Sequence, residues 1–122
     1  ILQAAAAALL TDPATDAVIA HARATYAARR RALLAALAAR GVHLPDRDGL
    51  AFWLPVRTEQ FALVTLAAHN IAVMPGSNYL IRPSPHVRVA TSLLTRRVAE
   101  VADALALVHA DAPSKEGKVF FL

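Results

Sequence analysis

His86-Val87-Arg88-Val89-Ala90-Thr91 alternates in the manner of a β-strand and follows the turn Val73-Met74-Pro75-Gly76 by about a dozen residues. A strand repeats every two residues, so Val87, Val89 and Thr91 fall on one face and Arg88, Ala90 and Ser92 on the other. One face is fit for a core. The other carries an arginine fixed on a rigid element, and a guanidinium is a planar fork of donors that matches a carboxylate. Arg88 is therefore a candidate carboxylate-binding residue for an acid ligand, with an ordinary inter-element salt bridge to Glu100 or Asp103 as the other reading its residue type allows.

Working outward, Leu50-Ala51-Phe52-Trp53-Leu54-Pro55-Val56 reads as a second strand after the polar turn Pro45-Asp46-Arg47-Asp48-Gly49, and Pro55 marks its end or an edge. Ile71 to Met74 reads as a short strand, and Tyr79 to Ile81 as a short extended piece. Between them the spacing predicts a helix over Thr58 to Asn70, capped by Thr58 and carrying Phe61, Val64 and Ala68 on one side. Leu94 to His109 reads as a closing helix with Val98, Val101, Leu105 and Val108 aligned.

The N-terminal part differs. Leu2 to Leu10 is an Ala-rich helical run that stops near Thr11-Asp12-Pro13, because a residue before proline is pushed out of the α region. A second helix runs from Thr15 to Arg40 with Tyr26, Leu33 and Leu37 at helical spacing and Gly41 as its stop. Such length suits a bridge between two domains. The order of elements predicts an α+β fold: a small mixed sheet of three to four strands with helices packed on one side, preceded by a long helix. Residues 1–40 read as a long helical connector to a missing large domain, 41–110 as a small α/β domain and 111–122 as a tail. The chain begins Ile1-Leu2-Gln3 without an initiator Met and reads as an excised piece.

The chain has 122 residues, of which 57% are apolar, so one modest core is available. Much of that fraction is alanine, which favours helix but buries little area, and the core must rest on Leu, Val, Ile and Phe. No cysteine is present, which removes disulfides and thiolate chemistry and fits a cytoplasmic setting. Gln60 to Ile81 lacks charged residues yet contains His69, Asn70, Pro75, Gly76, Ser77 and Asn78, which a bilayer-spanning helix does not accommodate, and no signal-peptide pattern precedes it. No membrane association is expected.

A net charge of +4, with a pI near 10.3, raises the question of nucleic acid. The densest basic cluster, Arg23, Arg29, Arg30 and Arg31, lies on the long helix, where positions 29 to 31 spread around the axis at about 100° each. They read as a solvated surface whose alkyl stems cover apolar neighbours. The histidines, His21, His43, His69, His86 and His109, show neither HxH nor HExxH spacing, so no metal site is expected and none is read as catalytic. Ser77 lies in a turn that is neither a nucleophile elbow nor a phosphate loop. Asp46 and Asp48 look like part of a calcium loop but lack its later Glu, and a tight turn accounts for them. Trp53 reads as a core or interface aromatic, with ligand stacking as the alternative. Lys115 and Lys118, the only lysines, sit in a polar tail unsuited to Schiff-base chemistry.

In order and spacing, the set formed by Tyr26 with Arg29 and Arg30, Gly49-Leu50 with Trp53 and Pro55-Val56, Ile71-Ala72-Val73 with Pro75-Gly76, and Pro85-His86-Val87-Arg88-Val89 resembles the C-terminal small domain of fold type I pyridoxal-phosphate (PLP) aminotransferases. The likeness covers roughly residues 1 to 110. Gly49-Leu50-Ala51-Phe52-Trp53-Leu54-Pro55-Val56 and Val87-Arg88-Val89-Ala90-Thr91 are similar to the MocR-type transcriptional regulators, in which a winged helix of the GntR type precedes an aminotransferase-like domain. The resemblance implies that Arg88 binds the carboxylate of an amino-acid effector at PLP. It also implies that the Schiff-base lysine, the phosphate-binding loop and the acid pairing with the pyridine nitrogen belong to a large domain upstream of Ile1. PLP is then a cofactor of the full-length parent only, and the fragment is expected to be neither cofactor-loaded nor enzymatically active. DNA would be contacted only through a missing N-terminal domain. A homodimer would cover the apolar face left by the large domain. The alternative parent is a true PLP-dependent aminotransferase, and a third reading is a free-standing small ligand-binding domain.

Overall fold

The strand read at 86–91 is the central strand of the sheet. In the computed structural model, which describes residues 1–79, 81–82 and 84–112, the order is α1 (Leu2–Thr11), α2 (Pro13–Ala38), β1 (Ala51–Pro55), α3 (Glu59–Ala68), β2 (Met74–Pro75), a 3-10 turn (Gly76–Asn78), β3 (His86–Ala90) and α4 (Val98–Val108). The α+β class and the long leading helix are as expected. The sheet has three strands in the order β1-β3-β2, and both pairings are antiparallel where mixed pairing was expected. No helix among the described residues is long and apolar enough to cross a membrane.

Local chemistry sets the boundaries. Asp12 breaks α1 from α2 with an extended backbone, and its carboxylate accepts the Ala14 N–H at 2.9 Å as an N-cap, with Pro13 in the first turn. α2 closes where Gly41 takes φ +80° and the Val42 N–H reaches back to the Leu37 carbonyl, the Schellman closure that glycine allows. Thr58 caps α3 by accepting the Phe61 N–H at 3.1 Å, and Asn70 supplies the left-handed residue at its other end.

Phe52 and Leu54 of β1 and Val87 and Val89 of β3 are buried on one sheet face, against Leu33 and Leu37 of α2, Leu66 of α3 and Ala102, Leu105 and Val108 of α4. α2, α3 and α4 thus cover a single face. α1 buries no residue, and α2 buries only Arg30, Leu33 and Leu37, all in its C-terminal half. At the far edge Val56 bridges His109, and the Ala110 N–H donates to the Pro55 carbonyl at 3.0 Å, tying the end of α4 to β1.

Several expectations are corrected. The strand read over Ile71 to Met74 shrinks to Met74–Pro75, which pairs only with Arg88 and Val87, since a proline has no N–H to extend the ladder. The inward face of α3 is Ala62 and Leu66, with Phe61 and Val64 exposed. α4 begins at Val98 and not Leu94, because the Leu94 N–H closes a turn onto the Thr91 carbonyl and Arg97 adopts φ +58°. Arg30 is no solvated surface residue: it is 3% exposed. The extended piece read at Tyr79 to Ile81 includes Leu80, outside the described residues, and all but the first two residues of the tail lie outside them as well.

Arg30 lies on the same helical stripe as Tyr26, Leu33 and Leu37, and its guanidinium turns onto the 46–49 turn. Its Nε donates to Asp46 at 2.6 Å and a terminal nitrogen donates to the Gly49 carbonyl at 3.1 Å. Arg31 donates to the other Asp46 oxygen at 2.9 Å. One carboxylate therefore joins two consecutive arginines, and the hydrogen bond from Arg30, then that from Arg31, holds the Asp46 pKa below its ordinary value of 3.8.

Two outcomes are expected. Arg30→Ala leaves the Gly49 carbonyl and Asp46 without their buried partner and should lower the unfolding midpoint by about 5 to 10 °C, while Arg31→Ala, which is exposed, should move it by about 2 °C or less. Thermal melts of the two variants compare them directly. With a folded pKa below the unfolded one, Asp46 contributes stability in full above pH 3.8 and loses it as pH falls through the folded value, so Asp46→Asn should flatten the acid limb of a stability-against-pH curve. At Gly76 a Cβ would meet the His86 carbonyl oxygen at 2.4 Å. Gly76→Ala should therefore destabilise by about 1 to 3 kcal/mol in denaturant unfolding.

Candidate functional site

The sheet face away from the helices is open, and register decides what stands on it. Trp53 pairs with Arg88 and Arg88 pairs with Met74, so the three side chains form one row across β1, β3 and β2. Trp53 and Met74 are exposed and Arg88 is half-buried. The faces assigned from sequence hold: Val87, Val89 and Thr91 are buried and Arg88 is on the opposite side.

Tyr79 completes the row from outside the sheet. Its ring lies 5.6 Å from the Arg88 guanidinium carbon and meets the Trp53 ring edge to face, with centroids 5.8 Å apart and planes at 69°. Three contacts place it. Gly76 packs its backbone under His86, the Tyr79 N–H donates to the Gly76 carbonyl at 2.9 Å, and Glu59 at the start of α3 accepts both the Ser77 N–H (3.2 Å) and the Ser77 hydroxyl (2.5 Å). The loop that delivers Tyr79 is thus tied to a helix on the far side of the sheet.

Among the described residues, the Arg88 side chain makes no hydrogen bond or ion pair. The acids available for a structural salt bridge are engaged elsewhere: Asp103 with Arg40, and Glu100 with Arg97 at 2.7 Å. An apolar groove of about 220 Å³ opens beside β3 where β2 is too short to cover it, lined in part by Ile71, Val73, Arg88, Leu94 and Val101. A larger cleft of about 700 Å³ lies elsewhere, between α2 and the 46–50 turn, where the charge of Arg30 is already matched by Asp46.

The other sequence candidates do not converge on this face. His86 shares a 2.8 Å hydrogen bond with the Ser84 hydroxyl, His69 Nδ1 bonds the Thr65 carbonyl at 2.9 Å, and His109 Nδ1 accepts the Asp111 N–H at 3.4 Å. Each imidazole satisfies its own neighbourhood. The basic cluster is dispersed: Arg29 donates to the Ser92 carbonyl, Arg30 and Arg31 share Asp46, and Arg23 borders the larger cleft. Trp53, read as a core or interface aromatic, is 41% exposed and outside the core. Tyr79 was not singled out by sequence reasoning, and no spacing signal could have found it, because it reaches Arg88 through the loop and not through a strand register.

The chemistry this face offers is anion binding by a cation carried over an aromatic ring. It offers no nucleophile. Lys115 and Lys118 lie outside the described residues, which therefore contain no lysine side chain able to form an imine with a carbonyl group.

A comparison with family models matches residues 1–105 to aminotransferase class I and II. Comparison with curated proteins and with solved structures found no match. The family generally depends on PLP, and the described residues do not fit that group, lacking a lysine to hold its aldehyde. With its open-faced sheet, long leading helix and strand arginine, and with a family model matching most of its length, the chain belongs to the aminotransferase class I and II family.

Proposed function

We propose that this chain is the effector-reading lobe of a MocR-type transcriptional regulator of the GntR family, in which Arg88 binds the carboxylate of an amino-acid effector. The observation that supports this reading most is a half-buried strand arginine on an open face with no acid partner among the described residues. A guanidinium held on a strand presents two parallel N–H donors to a planar anion, which is the geometry a carboxylate calls for. PLP would be held in a large domain upstream of Ile1, packed along α1 and the first half of α2, whose apolar side chains Leu2, Leu9, Leu10 and Val18 are exposed. DNA would be contacted by a winged helix still further upstream. The assembly would be a cytoplasmic homodimer, the commonest closed symmetry among soluble oligomers.

The second reading is a working PLP-dependent aminotransferase, favoured by the family to which the chain belongs. In that case Arg88 holds the substrate carboxylate in the same way. Translating the coding sequence upstream of Ile1 separates the two: a basic winged helix ahead of a lysine-bearing large domain supports the regulator, and a large domain at the very start supports the enzyme.

The anchor role itself is tested by calorimetric titration of the intact protein with the standard L-amino acids. Arg88→Ala should weaken the best of these by about 1.5 to 3 kcal/mol, the range for hydrogen bonds to a charged group. Arg88→Lys should recover only part of the loss, because an ammonium cannot present two parallel donors. Affinity unchanged in Arg88→Ala would remove the carboxylate assignment.

A further inference from the structure

We propose that Tyr79 is the positioning residue of Arg88: its ring carries the guanidinium on its face, Trp53 braces that ring from its edge, and the pair sets the direction in which the arginine donors point. An arginine side chain has four rotatable bonds and gives up much rotamer freedom when it binds a ligand. Two things commonly remove that freedom beforehand, an acid partner or an aromatic platform. Arg88 has no acid partner among the described residues, and the Asp103 and Glu100 carboxylates are held by other arginines. It does have the platform, with the guanidinium carbon 5.6 Å from the Tyr79 ring centroid.

The platform differs from a salt bridge in its consequence. A carboxylate partner would use up the N–H fork and cancel the charge. A ring face attracts the cation through its quadrupole and leaves the N–H edge and the net charge for another anion. The platform is itself constrained, since Trp53 is fixed on β1 in register with Arg88, and Tyr79 is fixed by the 3-10 turn bonded to Gly76 and Glu59. Both aromatic side chains are exposed, so their burial in the core does not explain their placement. The effect of this arrangement on ligand affinity rests on Arg88 being the carboxylate anchor; the arrangement itself does not.

The test is phenylglyoxal labelling of the intact protein, with the rate at each arginine read by peptide mass mapping. The exposed Arg97 serves as the internal reference. Tyr79→Phe keeps the ring face and should leave the Arg88 rate unchanged. Tyr79→Leu removes it and should raise the Arg88 rate about threefold to tenfold at an unchanged Arg97 rate, the span expected for losing a partly exposed cation–π contact. Trp53→Leu, which removes the brace and keeps the Tyr79 ring face, should give a smaller rise of the same sign, and it carries the test should Tyr79→Leu fail to fold. Equal Arg88 rates in wild type, Tyr79→Leu and Trp53→Leu would overturn the proposal, as would a Tyr79→Phe protein that behaves like Tyr79→Leu. Because labelling uses no carboxylate, its outcome stays separate from that of the Arg88→Ala titration. Dependence on Tyr79 together with unchanged amino-acid affinity in Arg88→Ala would retain the positioning role and discard the anchor.

Discussion

The constraint on which this domain depends is the two-sidedness of β3. β3 is paired along its whole length to β1 and at Val87 and Arg88 to β2, so the position of each of its side chains is set by which of the two faces it falls on. Val87 and Val89 are drawn under α2, α3 and α4 by apolar burial, and that fixes Arg88 on the opposite face whatever its own preference. A slip of one residue would bury the guanidinium among leucines and expose both valines, so the core itself enforces the position of the arginine. Antiparallel register then places Trp53 and Met74 beside it without any further instruction.

The same residue type solves the opposite problem thirty residues into the chain. Arg30 occupies a stripe that Leu33 and Leu37 mark as core, and a charge there is tolerable only with partners in place. Asp46 and the Gly49 carbonyl supply them, and in doing so they fold the 46–49 turn back onto α2 and aim the chain into β1. Arg30 is thereby spent on architecture. Arg88, set on the open side, has no acid partner among the described residues.

Much of this was legible in the sequence, and the failures have particular causes. The faces of β3, the caps at Thr58 and Gly41 and the break at Pro13 are local, each determined by residues within a few positions. The inward side of α3 was not legible because Phe61-Ala62-Leu63-Val64 and Leu66-Ala67-Ala68 are apolar on every side, so that periodicity cannot select among faces. The structure selects Ala62 and Leu66, a narrow ridge, against β3 and α4. The three consecutive arginines look alike and meet three different fates, because successive helix positions turn by about 100°: Arg29 reaches the Ser92 carbonyl, Arg30 is buried against Asp46 and the Gly49 carbonyl, and Arg31 meets Asp46 from the exposed side. The strand at Ile71 to Met74 has the right composition but pairs only at its end, through Met74 and Pro75, and the proline has no N–H to extend the ladder. Tyr79 was invisible for a different reason: its distance to Arg88 is a property of a loop path held by Glu59, and nothing near Tyr79 in the sequence records it.

An arginine with no anion beside it is commonly left to bulk water, where its orientation is undefined. Arg88 is neither buried with an acid nor free in that sense. Its base is fixed in the middle strand, its stem is flanked by Trp53 and Met74, and its head lies over Tyr79. Each of these contacts restricts the side chain without using its N–H donors, and no acid among the described residues neutralises it. A salt bridge would restrict it equally well and end its usefulness; full exposure would leave it available and unaimed. The aromatic row is the intermediate solution, and it stands on the sheet face that the helices leave open.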